Sequence, residues 1–153
     1  MKYLVVIIFF TLLEGLVAEV AKVESNKDLL EVSWPLGELT DLIWFNHRAT
    51  EQNSTSTVKL FKKTADKKKL LSSNFFGRPN GSGEKDYFGV AVYFKKEIKG
   101  SPEAQRFFAL EGAGVYQIEF SCSDGFTSKC LFEYKIMFRK PVLIVKKLST
   151  EAR

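Results

Sequence analysis

A single histidine, His47, and two cysteines, Cys122 and Cys130, are all that 153 residues offer of the side chains that most often hold metals. A structural zinc site wants four good ligands and a catalytic one three. A redox pair wants a Cys-x-x-Cys spacing, and here seven residues separate the two cysteines. The chain also lacks a nucleophile elbow and a phosphate loop. Its one glycine-rich run, GRPNGSG at residues 77–83, does not end in Lys-Ser/Thr and reads as a flexible hairpin loop. These absences argue against an enzyme, a cofactor or a metal, with His47 read as an ordinary strand-end residue. No window repeats its apolar residues with a 3.6-residue period, and no internal repeat or second domain is visible. Residues 65–71 alone leave open a short helix, against a charged hairpin turn. Past Leu13 no apolar run approaches the ~20 residues a membrane span needs.

What is present is a globular balance of 45% hydrophobic and 27% charged residues, rich in Phe, with a net charge of +5. At the N-terminus Lys2 precedes the apolar run YLVVIIFFTLL, residues 3–13. That is the length of a signal-peptide core and short for a retained anchor, the alternative reading. Cleavage after Ala18 leaves a secreted, extracellular chain without a transmembrane anchor. The expected plan is a signal peptide over 1–18, one domain over 19–145 and a C-terminal tail over 146–153. Sequons at Asn53 and Asn80, both in polar, turn-rich stretches, fit a glycoprotein on that route.

Period-two patterns dominate the rest. They predict strands over 29–34, 39–46, 57–62, 87–95, 106–110, 115–122 and 130–138, with a short last one over 142–146. Turn-forming clusters lie between them, notably at 47–56, 77–86 and 99–103. Seven or eight short strands so punctuated predict an all-β antiparallel sandwich or barrel.

Residues 116–138, YQIEFSCSDGFTSKCLFEYKIMF, repay reading by faces. Tyr116, Ile118, Phe120 and Cys122 share one face of the first half; Cys130, Phe132, Tyr134, Ile136 and Phe138 share one face of the second. A hairpin with Cys122 opposite Cys130 pairs every apolar residue inward. Directly opposed cysteines suit a disulfide, so the pair reads as a staple; buried thiols, a metal site and a redox pair are the alternatives. Glu119, Leu131, Glu133 and Lys135 then face outward, and Phe126 sits at the hairpin tip as a candidate anchor for a partner.

GAGVYQI, residues 112–118, resembles the start of strand F in immunoglobulin-superfamily domains, with Tyr116 as the corner tyrosine. LIWFN, residues 42–46, is similar to the C strand that carries the core tryptophan, here Trp44. Ile118 stands where the family's second intersheet cysteine would be. In this the chain resembles the N-terminal V-type domains of the CD2 and SLAM adhesion receptors, some of which replace that bridge with apolar residues. The rhythm of GVYQIEFSCSDG is also similar to polycystin-type sandwich domains. The resemblance implies an immunoglobulin-like antiparallel β-sandwich of seven to nine strands, with Trp44 and Tyr116 in its core.

Three functions follow as expectations. The first is non-catalytic recognition of a protein partner, a cell-surface receptor or ligand, through the sheet carrying Glu119, Leu131, Glu133 and Lys135 and through Phe126; in the receptor domains the chain resembles, the equivalent sheet is the ligand face. The second is binding of a glycosaminoglycan or an anionic membrane surface by Lys62, Lys63, Lys67, Lys68 and Lys69, with nucleic acid the least natural target for a secreted chain. The third is a lipid held between the sheets by aromatic side chains.

Overall fold

The computed structural model describes residues 20–25, 29–35, 42–81, 86–93, 107–138 and 140–152. Among them are eleven strands and no helix. They are β1 (Val20–Glu24), β2 (Leu30–Pro35), β3 (Leu42–Arg48), β4 (Ser56–Lys63), β5 (Lys68–Phe76), β6 (Asn80–Gly81), β7 (Asp86–Tyr93), β8 (Phe107–Ala109), β9 (Gly114–Cys122), β10 (Phe126–Met137) and β11 (Lys140–Ala152). One sheet runs β1-β2-β3-β7-β6, with β8 added in parallel to β7; the other runs β11-β10-β9-β4-β5, wholly antiparallel. The chain passes from the first sheet to the second after β3, returns after β5, and crosses again after β8.

Alternation decides which side chains meet between the sheets, because successive residues of a strand point to opposite faces. β9 buries Tyr116, Ile118, Phe120 and Cys122, while β10 buries Ser128, Cys130, Phe132 and Tyr134. Val58 and Leu60 join them from β4. From the other sheet come Leu30 and Val32, then Ile43, Phe45 and His47, then Phe88, Val90 and Val92. Rings from opposite sheets touch: Phe45 lies 5.3 Å from Phe132 and His47 5.7 Å from Phe120, centroid to centroid. Each large apolar side chain so enclosed contributes roughly 1.5–3 kcal/mol, and together they hold the two sheets face to face as a sandwich.

Four expectations need correction. Cys122 and Cys130 are not joined. Cys130 lies opposite Ile118, with Phe132 opposite Tyr116, which leaves the cysteines four residues apart along the strand direction, ~13 Å at strand rise. That is far beyond the reach of a disulfide. The cause is the turn. Gly125, at φ 88°, takes a left-handed conformation that glycine adopts without steric cost. Its amide donates to the Cys122 carbonyl at 3.3 Å, and the Phe126 amide donates to Asp124 Oδ1 at 3.2 Å. The loop therefore closes between Cys122 and Phe126, and the register moves while the inward faces stay the same.

Trp44 is not in the core. It is 42% exposed, since β3 turns Ile43, Phe45 and His47 inward and alternate residues cannot share that face. Ile136 and Phe138, expected to point inward, are 62% and 94% exposed; here β10 has run past its last partner on β9, Gly114. Finally, residues 146–152 are no tail but the second half of β11. The alternation breaks there because of a bulge: Leu131 pairs with Lys147 and Phe132 with Val145, skipping Lys146.

Strands β1, β5 and β6 were not expected, and residues 65–71 form the β4–β5 turn and the start of β5 rather than a helix. The expected signal peptide over 1–18 lies outside the described residues. No helix among the described residues is long and apolar enough to cross a membrane.

Candidate functional site

The outer face of the five-stranded sheet carries the residues expected to meet a partner. Glu119, Leu131, Glu133 and Lys135 all stand on it, partly exposed. Much of its charge is matched internally. Lys68 pairs with Glu119, which also accepts from Gln117 Nε2 at 2.6 Å. Lys146 pairs with Glu133 at 2.7 Å, and this hydrogen bond pulls the Glu133 carboxyl below its usual range. Lys129 approaches Glu151 at 3.6 Å. Between these pairs runs an open groove of about 230 Å³, with Leu131 as its one apolar lining residue among Lys63, Gln117, Lys129, Lys147, Ser149 and Glu151.

The lysine cluster is divided in the same way. Lys62 Nζ donates to the Glu111 carbonyl at 2.5 Å and lies over the Tyr116 ring. Lys69 pairs with Glu111 at 3.1 Å, and Lys68 sits 3.7 Å over the Phe61 ring. Lys63 and Lys67 make no ion pair among the described residues and are exposed.

Register fixes what lies beside them. Lys63 is level with Val115, which is level with Glu133. The β4–β5 hairpin turns back just beyond that line, and β10 continues past it to Met137. Two hairpin tips thus share one end of the sheet, with only β9 between β4 and β10, roughly 10 Å. One tip carries lysines. The other carries Ile136, Met137 and Phe138, the last 94% exposed and held at φ 51°, an unusual conformation for a bulky residue.

The opposite end holds Phe126, which is half-buried at the start of β10 and paired with Ala152. The expected anchor is therefore not the most exposed aromatic of this hairpin arm; Phe138, in the turn just after β10, is. Asn53 lies exposed in the loop between β3 and β4, and Asn80 lies in β6. That loop is fastened to the β9–β10 turn. Thr50 donates to Asp124 Oδ2 through its amide at 3.1 Å and its hydroxyl at 2.7 Å, while Thr55 and Ser123 exchange two further bonds.

Against this loop sits a cluster that the sequence did not disclose. His47, Cys122 and Asp124 each present a ligand-type atom, all within 4.8 Å of one another. His47 is fully buried, stacked between Phe88 and Phe120, and neither ring nitrogen finds a partner. Burial holds its pKa down to about 4, against a smaller upward pull from the Asp124 carboxylate. Cys122 Sγ is 3.3 Å from Ser56 Oγ. The signal in the sequence is parity: His47 shares its strand face with Ile43 and Phe45, so extending β3 by one or two residues buries it.

No family model, curated protein or solved structure matches the chain. Function therefore has to be read from these surfaces and clusters.

Proposed function

We propose that the chain is a secreted or cell-surface-associated immunoglobulin-like domain that recognises a protein partner and is not an enzyme. Strand order supports the immunoglobulin-like reading. β2-β3-β7-β6 facing β5-β4-β9-β10 corresponds to A-B-E-D facing C′-C-F-G in such domains. Tyr116, near the start of β9, donates its hydroxyl to the Gly112 carbonyl at 2.5 Å, as a corner tyrosine at the start of strand F does. On this alignment β3 takes the place of strand B, and β4 rather than β3 that of strand C.

The observation that carries recognition is the apolar hairpin tip, Ile136 to Phe138, projecting beyond the sheet. Leaving a bulky aromatic almost fully in water in a left-handed conformation is unfavourable in the free protein. Covering it with a partner returns the burial term, the behaviour of an interface anchor. The matched charges on the adjoining face would set specificity more than affinity.

The test is capture of surface proteins with a multivalent display of the domain, which rescues weak contacts. Phe138→Ser and Ile136→Ser are expected to reduce capture at least ~10-fold with an unchanged unfolding midpoint. Capture that is equally strong with both variants would count against the reading.

A second reading has its own observation. Lys63 and Lys67 sit at the same end as the apolar tip, an arrangement that suits an anionic membrane surface. Sedimentation with phosphatidylserine vesicles but not with phosphatidylcholine vesicles, lost in high salt, would favour it over the protein partner.

A further inference from the structure

The buried side-chain nitrogen and oxygen atoms left without a partner among the described residues are Nδ1 and Nε2 of His47 and Oγ of Ser54. All three belong to the end of the sandwich where β3 runs into the loop before β4. Buried polar atoms are nearly always partnered, so two orphaned nitrogens on one enclosed imidazole call for an explanation. The atoms beside that imidazole are a thiol and a carboxylate.

We infer that His47, Cys122 and Asp124 bind a zinc ion between the two sheets, with water in the fourth position. Tetrahedral zinc, with bonds of ~2.3 Å to sulfur and ~2.0–2.1 Å to nitrogen and oxygen, spaces its ligand atoms about 3.3–3.6 Å apart. From separations within 4.8 Å the three side chains close on the ion by small rotations. Thiolate with imidazole favours zinc over magnesium or calcium, which prefer oxygen throughout.

The surroundings of Asp124 and Cys122 suit the role, while the imidazole would give one of its two nitrogens to the ion. Asp124 accepts three hydrogen bonds, from the Thr50 amide and hydroxyl and from the Phe126 amide. A carboxylate offers about four acceptor positions, so one remains for the metal while the others fix its orientation. Ser56 accepts the Cys122 S–H as it stands. When zinc displaces that proton to solvent, the serine hydroxyl turns and donates to the thiolate sulfur. Partial exposure of Asp124 provides a way in for the ion. Because His47 is on β3 of one sheet and Cys122 on β9 of the other, the ion acts as a clip between sheets. This inference stands independently of the recognition surface at the far end.

The probe is cobalt(II), followed by zinc, added to the metal-free protein under reducing conditions. One equivalent of cobalt should give the intense visible bands of a tetrahedral site together with a thiolate charge-transfer band, and zinc should displace it. Zinc should also raise the thermal midpoint. Cys122→Ser and His47→Gln should weaken zinc binding at least ~100-fold and Asp124→Asn at least ~10-fold, while Cys130→Ala, remote from the cluster, retains it. Absence of the charge-transfer band in the unmodified protein overturns the inference whether or not the variants fold. Equal weakening in Cys130→Ala overturns it too.

Discussion

The imidazole of His47 and the ring of Phe120 lie 5.7 Å apart and within 22° of parallel, one from each sheet, so a titratable group serves as a contact between the two halves of the core. Burial lowers the folded-state pKa of His47 to about 4. The unfolded chain protonates it near 6.5. Between those values the unfolded state holds the extra proton. Stability is therefore complete above pH ~6.5, falls as the pH drops, and levels off near pH 4, a loss on the order of 3 kcal/mol. Urea unfolding of the metal-free protein at pH 7 and pH 4.5 should show it. His47→Phe, which keeps a ring between Phe88 and Phe120, should remove that part of the difference.

Tyr116 offers a cleaner deletion. Its ring is buried against Phe132 at 5.7 Å, and its hydroxyl reaches the Gly112 carbonyl at 2.5 Å. Tyr116→Phe keeps the ring and loses the bond, so it should cost about 1 kcal/mol. The measurement is the shift in urea midpoint at unchanged slope.

The thiols test the hairpin register. With Cys130 opposite Ile118, the native protein should contain two thiols and no disulfide after purification without reductant. Both are buried, and burial pushes the Cys130 thiol well above its ordinary pKa. Neither should react with an alkylating reagent until the protein unfolds, when two equivalents are consumed. A mass two units lower, indicating a bridge, would sink the observed register.

Phe138 should reveal a conflict between stability and binding. A left-handed bulky residue costs roughly 1–2 kcal/mol, and at 94% exposure it regains little by packing. Phe138→Gly is expected to leave stability unchanged or raise it by up to about 1 kcal/mol, while reducing partner or membrane binding. Loss of both together would mean that the tip is structural.

Much of the sandwich was legible because its strands bury one face. Ile136 and Phe138 lie beyond the end of β9 and are exposed, but the inward sets on β9, and on β10 as far as Tyr134, follow from alternation alone and stayed inward when the register moved. Alternation is blind to such a move, since a shift by whole pairs leaves every face where it was. Trp44 was misplaced for a different reason: the likeness of LIWFN to a core strand outweighed the parity of Ile43, Phe45 and His47. β5 was missed because it lies at a sheet edge, and most of its residues are at least partly exposed; with little to bury, it shows little pattern. The His47–Cys122–Asp124 cluster draws on residues 75 positions apart in the chain. Only the pairing of sheets brings them together.

The bulge at Lys146 has a consequence for the C-terminal half of β11. Ahead of it Leu143 and Val145 pack against the core; beyond it Leu148 does, and Thr150 bonds to Ser128 at 2.7 Å and to Ser25 at 3.1 Å. Odd-numbered residues are read inward on one side, even-numbered residues on the other. Lys146, anchored outward by Glu133, acts as a one-letter insertion that resets the reading frame of the strand. Deleting it would leave the composition almost untouched. The closing residues would stay in phase, because on an unbroken strand Val145 would lead through Lys147 outward to Leu148 and Thr150 inward. Only flattening the bulge with Lys146 retained would turn Lys147 and Ser149 toward the core.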